Sequence, residues 1–270
     1  MNKLILGRYF PGDSWIHRLD PRSKLVACIY FIFVLFLANN WQTYALLWLF
    51  TFTVMYLSGV SFTTYIRGVK PLIWLILFTV FLQVLFTSGG EVYFEWGPIT
   101  ITYFGLTNGF FIFCRFVMIV FISTVVTLTT KPIDLTDGIN SLLRPLRALK
   151  IPVDEFSLML SISLRFIPNL LDETQKIMDA QRARGTEFGE GNLFQQMKKL
   201  VPIFLPLFVS SLNRSEELAN AMEVRGYQSG EKRSTFRQLN WQPRDTFCLL
   251  LMLVLTIGLV FLRNGGGILH

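Results

Sequence analysis

Long apolar segments dominate this chain and restrict the folds that it can adopt. Four lie in the first half of the chain and a fifth lies near its C-terminal end: Leu25–Ala38, Thr43–Gly59, Pro71–Thr87, Gly105–Thr129 and Phe247–Leu262. A helix needs about 20 predominantly apolar residues to cross a bilayer. Open sheet edges leave backbone groups unpaired in lipid, so helices are expected here. The sequence therefore predicts an all-α polytopic membrane protein with about five transmembrane helices.

Charged residues are concentrated outside these apolar segments. They make up only 16% of the chain, whereas an average soluble protein contains about 25%. Most of them lie between the fourth and the fifth apolar segment. We therefore predict an N-terminal membrane portion with four spans (residues 1–129), a charged domain (residues 130–246) and a C-terminal transmembrane helix (residues 247–263).

The distribution of lysine and arginine orients these segments. Five basic residues precede the first segment, and many more lie within residues 130–246, whereas residues 39–41 and 88–104 contain none. Basic residues accumulate on the cytoplasmic side of membrane proteins. This pattern predicts that the N-terminus and the charged domain are cytoplasmic, and that the net charge of +7 reflects cytoplasmic loops rather than nucleic-acid binding.

The charged domain is predicted to contain three helices, which are Thr136–Leu149, Val153–Arg184 and Asn192–Arg225. Residues 156–171 and 200–212 are apolar enough to touch the membrane, but Arg165 interrupts the first range and two prolines interrupt the second. We interpret both as amphipathic or half-buried, and a seven-span arrangement is the alternative. Partial alternation of apolar and polar residues in the loop at 91–101 predicts a short external hairpin.

Two of these helices end in the same pattern, A-x-x-x-R-G, at residues 180–185 and 221–226. Arginine suits the negative end of the helix dipole, and glycine adopts the left-handed conformation that ends many helices. One such pattern indicates an ordinary helix cap. Its repetition on two successive long helices favours docking, because arginine binds carboxylates in bidentate geometry. The two interpretations are compatible.

Motifs for chemistry are missing from the sequence. There is no G-x-x-x-x-G-K-[ST] phosphate loop, no H-E-x-x-H and no G-x-S-x-G. The sequence thus predicts no catalytic residue, no metal site and no cofactor. Arg115 is the one charge deep in a clear span, and we favour a structural role for it. An autonomous membrane carrier, a membrane enzyme with a cytoplasmic domain and a structural membrane anchor are the alternatives to a docking subunit.

Several of these stretches resemble the transmembrane T component of energy-coupling factor (ECF) transporters, which are ABC-type importers of vitamins and metals. Ala183-Arg184-Gly185 matches the family's A-R-G motif, and Val224-Arg225-Gly226 keeps the arginine and glycine with valine in place of alanine. Further similar stretches are Leu19–Leu25, Leu164–Pro168 and Ala221–Tyr227.

The resemblance implies a membrane scaffold with a cytoplasmic coupling domain of long crossing helices. Two ABC ATPase subunits would bind it and hydrolyse ATP, and a substrate-binding S component would bind it in the membrane, so the chain itself would not be an enzyme. Arg184 would dock into one ATPase and Arg225 into the other. The residues expected to contact the S component are Phe156, Leu160, Leu164, Phe204, Leu207 and Phe208.

Overall fold

A computed structural model of the chain describes residues 9–87, 89, 92–96, 99–145, 152–186, 188, 192–228 and 239–265. These residues form nine helices and one antiparallel hairpin. The elements are α1 Pro21–Leu37, α2 Trp41–Ser58, α3 Phe62–Val69, α4 Ile73–Phe86, β1 Val92–Trp96, β2 Ile99–Thr102, α5 Tyr103–Thr129, α6 Pro132–Leu143, α7 Val153–Ala183, α8 Leu193–Val224 and α9 Pro243–Gly265. The all-α class is confirmed apart from the hairpin, which the sequence also predicted.

Each of the five predicted apolar segments forms a helix, but the helices differ in their ability to cross a membrane. Within the described residues, α5 and α9 are each long and apolar enough, and α2 with α3, bent by 120° between them, is a third candidate. By contrast, α1 has 17 residues and α4 has 14. At 1.5 Å per residue, α4 covers only about 21 Å of a bilayer core of about 30 Å. The sequence predicted five membrane spans, whereas only two or three of the described helices are long and apolar enough to cross a membrane.

The chain divides into two compact units. The first contains Met1–Leu142 and Leu239–His270, and the second contains Leu143–Gln238. The first unit includes all of α6 except its last residue, Leu143, whereas the sequence analysis assigned this helix to the charged domain. A close approach explains this difference, because a Cβ on Gly138 of α6 would lie 3.2 Å from Pro21 of α1. The predicted last turn of α6, residues 146–149, lies outside the described residues.

Apolar side chains of α1, α2, α5 and α9 form the main core of the first unit. Phe31, Leu35, Leu47, Met118 and Leu259 are almost completely buried in it. Burial of one such side chain stabilises a fold by about 1.5–3 kcal/mol where the surroundings are aqueous. In lipid, close packing contributes instead.

Two glycines allow α4 and α5 to approach each other. A Cβ on Gly109 would lie 2.8 Å from Val84 Cγ2, and a Cβ on Gly105 would lie 3.2 Å from the carbonyl oxygen of Val84. The first distance is shorter than real Cβ contacts, and the second is tighter than most of them, so a side chain at either position would require a neighbour to shift. The G-x-x-x-G spacing on α5 therefore has the packing role that small residues have in membrane helices.

A buried polar cluster joins the ends of three helices of the first unit. The Asp245 carboxylate on α9, 1% exposed, accepts hydrogen bonds from the backbone N–H of Asp20 at 2.8 Å and from Ser23 Oγ at 2.7 Å. Lys24 Nζ donates to the carbonyl oxygens of Thr129 and His17 at 3.0 and 3.3 Å. The stretch Leu19–Leu25, noted above for its resemblance, thus holds the starts of α1 and α9 beside the end of α5.

Candidate functional site

The C-terminus of α7 has the complete hydrogen-bond pattern of a glycine cap. Gly185 has a φ of 86°, its N–H donates to the carbonyl of Arg182 at 2.9 Å, and the N–H of Thr186 donates to that of Gln181 at 3.0 Å. These two bonds define a Schellman motif. Arg184 is the capping residue, with a φ of −88° and a ψ of 8°. The cap therefore fixes the backbone from which the Arg184 side chain extends.

The C-terminus of α8 has the same geometry. Gly226 has a φ of 76°, its N–H donates to the carbonyl of Glu223 at 2.8 Å, and the N–H of Tyr227 donates to that of Met222 at 2.9 Å. Val224 stands where the first tip has alanine, and it is 88% exposed. Valine therefore leaves the cap unchanged and adds an exposed apolar side chain. We call residues 183–185 and 224–226 the two arginine tips.

Both arginine tips leave their guanidinium groups accessible. Arg184 and Arg225 are exposed, and neither has an ion-pair or hydrogen-bond partner for its side chain in the described part of the chain. Arg182, two residues before Arg184, instead donates from Nη1 to Asp179 Oδ1 at 2.8 Å and lies 5.8 Å from the ring of Phe188. Arg182 is thus paired within the chain, whereas Arg184 and Arg225 remain available to an external acceptor.

A polar contact joins α7 to α8 at a distance from the tips. Arg214 Nη2 on α8 lies 3.8 Å from Glu173 Oε2 on α7, and the guanidinium lies 5.8 Å from the Phe166 ring, also on α7. Ser210 Oγ donates to Glu173 Oε1. Glu173 and Arg214 are each partly buried, which makes the contact less screened than a surface pair. Sequence analysis missed this pairing, because nothing local connects residues on different helices.

The apolar residues predicted to contact the S component lie in the N-terminal halves of α7 and α8. Phe156, Phe204 and Phe208 are between 61% and 67% exposed, Leu160 is 45% exposed, and Leu164 and Leu207 are half-buried. Four more exposed apolar residues extend this surface beyond the prediction: Met159, Val201, Leu205 and Val209. Met159, Val201 and Leu205 each lie three residues from a predicted phenylalanine, and Val209 lies four residues from Leu205. This helical spacing is the signal that finds them. Exposed apolar surface of this kind marks a protein or lipid contact.

Arg115 contacts neighbouring helices of the first unit. Its Nη2 donates to Tyr44 Oη at 3.0 Å, and its guanidinium lies 5.0 Å from the Phe36 ring. Its Nε has no hydrogen-bond partner among the described residues. These contacts agree with the structural role that we favoured. Over the described ranges, no group of three or more His, Cys, Asp or Glu side chains is arranged to hold a metal ion.

Comparison with known proteins identifies close relatives along nearly the whole chain. Residues 12–236 match the family described as CbiQ, cobalt transport protein. The chain is 61% identical to the energy-coupling factor transporter transmembrane protein EcfT 1 of Listeria monocytogenes, over 98% of this chain and 99% of that protein. Identity to the EcfT protein of Lacticaseibacillus paracasei is 58%, over 97% and 100% of the two chains. For the EcfT protein of Bacillus subtilis it is 51%, over 97% and 99%.

Proposed function

We propose that this chain, which belongs to the family of energy-coupling factor transporter transmembrane proteins, couples two ABC ATPase subunits to a substrate-binding S component of an importer. One observation carries the proposal. The helices α7 and α8 end in identical caps, and each cap presents an exposed arginine without a partner in the described residues. Two matched tips suit two matched ATPase subunits.

Docking of the tips rests on charge and on fixed geometry. Arg184 and Arg225 each insert into a groove of one ATPase and bind acidic side chains there. Arginine forms paired hydrogen bonds to a carboxylate, and these are stronger than bonds between neutral groups. Because each cap already fixes the backbone, little conformational entropy is lost on docking. Ala183 and Val224, which are exposed beside the arginines, contact the apolar part of each groove.

Motion then passes from the tips along α7 and α8. ATP-driven closure of the ATPases moves the two tips, and the contact of Glu173 with Ser210 and Arg214 keeps the helices coupled to each other. The exposed apolar residues near Phe156 and Phe204 transmit this motion to the S component, which reorients and releases its substrate. The S component selects the vitamin or other micronutrient, which agrees with the lack of motifs for chemistry in this sequence.

The proposed membrane orientation follows from the basic residues. The N-terminus, the helices α7 and α8 and both arginine tips face the cytoplasm, where ATP is available. The hairpin β1–β2 lies on the opposite side, in a loop without lysine or arginine. This orientation supports the coupling role, because ATPases of importers act in the cytoplasm.

Charge reversal at both tips tests the proposal. We expect the variant Arg184→Glu/Arg225→Glu to insert into the membrane and to lose co-purification with the two ATPase subunits, since each glutamate meets a groove built for a cation. The matched control is Lys176→Glu/Lys198→Glu, which changes the same total charge at exposed positions of the same two helices. The control is expected to retain both ATPases.

Two outcomes would contradict the proposal. The first is unchanged ATPase binding and ATP-driven uptake by the tip variant. The second is substrate uptake by the chain alone in proteoliposomes without ATPases, which would support an autonomous carrier.

The apolar surface is tested separately. We expect Phe156→Ser/Phe208→Ser to reduce co-purification of the S component while both ATPases remain bound. Phe194→Ser is the matched control, because Phe194 is 81% exposed on α8 and lies outside the predicted contact set. Equal loss of the S component from both variants would contradict the assigned surface.

A further inference from the structure

A cavity of about 280 Å³ lies in the first unit, between α1, α2, α5 and α9. Its walls include Trp15, Ala27, Val54, Val126 and Cys248. The cavity is nearly twice as large as an engineered apolar cavity of about 150 Å³ that stays dry and binds benzene. No step of the proposed coupling mechanism uses it.

Two polar side chains in the cavity wall form hydrogen bonds within the chain. Thr53 Oγ1 donates to the carbonyl oxygen of Leu49 at 2.8 Å. Lys24 contributes its side chain to the wall, and its Nζ is bonded to Thr129, Thr130 and His17. Water requires two or more polar partners to remain in a cavity. The wall therefore suits an apolar occupant.

The cavity is open to the surroundings along α2 and α9. Leu49 is 66% exposed, Leu57 is 41% exposed and Leu251 is 40% exposed, and all three line the cavity. In a membrane protein these exposed side chains face the hydrocarbon of the bilayer. An empty cavity with this opening would lose dispersion contacts on one side of its wall.

The length and the position of the cavity match one leaflet. Along α2 its wall runs from Leu46 to Leu57, which is about 16 Å at 1.5 Å per residue, and half of a bilayer core is about 15 Å. It ends beside Trp15 and Cys248, next to the polar cluster at the start of α9. Arg244, an exposed cation, precedes Cys248 by four residues and lies on the same face of α9.

We infer that this cavity binds one acyl chain of an anionic phospholipid, with the headgroup next to Arg244. The acyl chain lies between α2 and α9 and replaces the packing that the two helices do not supply to each other. In the proposed orientation the lipid belongs to the cytoplasmic leaflet, where anionic headgroups meet basic residues.

A photo-crosslinking lipid tests this inference. The full chain is reconstituted in nanodiscs that contain phosphatidylglycerol with a diazirine on its acyl chain, and labelled peptides are identified by mass spectrometry. We expect labelling of residues 46–57 and 248–255 to exceed that of α4, whose exposed apolar side chains report bulk lipid. Equal labelling of the cavity and of α4 would overturn the inference.

Two matched variants distinguish filling of the cavity from a general effect of a bulky substitution on the fold. Thr53→Phe fills the cavity and is expected to reduce its labelling to the level of α4. Thr79→Phe is the control, because Thr79 makes the same bond to the carbonyl four residues earlier, Leu75, on a helix that does not line the cavity. Unchanged cavity labelling in Thr53→Phe would overturn the inference. The labelling of α4 reports whether either variant is folded and inserted.

The headgroup is tested with Arg244→Gln and with a phosphatidylcholine probe of the same acyl chain. We expect phosphatidylglycerol to be preferred by about fivefold and the preference to disappear in Arg244→Gln. Equal labelling by the two lipids would contradict the inferred preference for an anionic headgroup. Because labelling requires no ATPase, its failure is distinct from failure of the proposed coupling role.

Discussion

The two units of this protein treat their charged side chains in opposite ways. In the first unit Asp20, Lys24 and Asp245 are at most 6% exposed, and each is satisfied by hydrogen bonds within the unit. In the second unit the arginines of both tips are exposed and have no partner among the described residues. These three buried charges thus contribute to the stability of the first unit, whereas the tip arginines of the second unit are accessible to an external acceptor.

The two units also differ in their apolar cores, although exposed apolar side chains such as Trp74, which is 80% exposed, occur in the first unit as well. Phe31 and Met118 of the first unit are fully buried, whereas Phe204 and Leu205 of the second are more than 60% exposed. A chain that leaves cations and phenylalanines uncovered on one pair of helices depends on other molecules to cover them. This difference predicts that substitutions in the first unit change stability and that substitutions at the tips change binding.

The largest expected effect on stability is at Asp245. Asp245→Ala removes the acceptor of the backbone N–H groups of Asp20 and Gln242 and of Ser23 Oγ, and it leaves the buried N–H of Asp20 without its partner. We expect a loss of about 3 kcal/mol, measured as a lower unfolding temperature in detergent. Asp172→Ala, at an exposed position of α7, is the control and is expected to have little effect. Similar unfolding temperatures for the two variants would contradict the prediction that the buried charges of the first unit contribute to stability and the exposed charges of the second do not.

Truncation of a single tip comes next. Arg184→Ala or Arg225→Ala is expected to weaken binding of an ATPase subunit by about 2 kcal/mol, roughly 30-fold. The unfolding temperature is expected to remain unchanged, because neither side chain has a partner in the described residues. Binding is measured with purified ATPase subunits, and Lys176→Ala is the control. Since the caps are identical, a difference above about tenfold between the two tips would contradict their equivalence.

A smaller effect is expected at the cap glycines. Gly185→Ala or Gly226→Ala places a Cβ in a left-handed conformation, which costs about 1 kcal/mol although the space around each Cβ is open. Hydrogen exchange at Thr186 or Tyr227, whose N–H groups close the caps, is expected to become faster. Gly258→Ala on α9 is the control, because its Cβ would make an ordinary contact of 3.8 Å with Leu46 Cδ2 of α2. Faster exchange in that control alone would contradict the cap geometry.

The smallest expected effect is at the contact between α7 and α8. A double-mutant cycle with Glu173→Ala and Arg214→Ala is expected to give a coupling energy of about 0.5–1 kcal/mol, since both side chains are partly exposed. The same cycle on Asp179 and Arg182, which are 59% and 41% exposed, is expected to give less. Unfolding temperatures of the single and double variants provide both values. A larger coupling at the exposed pair would contradict a role for Glu173 in joining the helices.

Much of the second unit was predictable from sequence. The predicted helices Val153–Arg184 and Asn192–Arg225 differ from α7 and α8 by one residue at three of their four ends and coincide at the fourth. The R-G pairs at their ends are local stop signals, which act within a single turn. The contact between Glu173 and Arg214 was not predictable, because it joins residues of different helices.

The first unit was predictable only in part. Its apolar segments were identified from their hydrophobicity. The helix α3 was missed, since it occupies eight residues that follow the left-handed Gly59 at the end of α2. The start of α1 was placed four residues late, because Lys24 was taken as a boundary. Lys24 can lie inside α1 because its Nζ donates to carbonyl oxygens of α5 and of the segment before α1.

The sequence by itself determined the class of protein, the positions of the apolar helices and the two arginine tips. These features depend on the hydrophobicity of whole segments and on hydrogen bonds within one helical turn, and both are local. Only the tertiary structure decided the burial of Asp245 beside α1, the contact between α7 and α8 and the cavity between α2 and α9. Each of these requires residues far apart in the chain to meet, and no local pattern specifies which distant residues will do so.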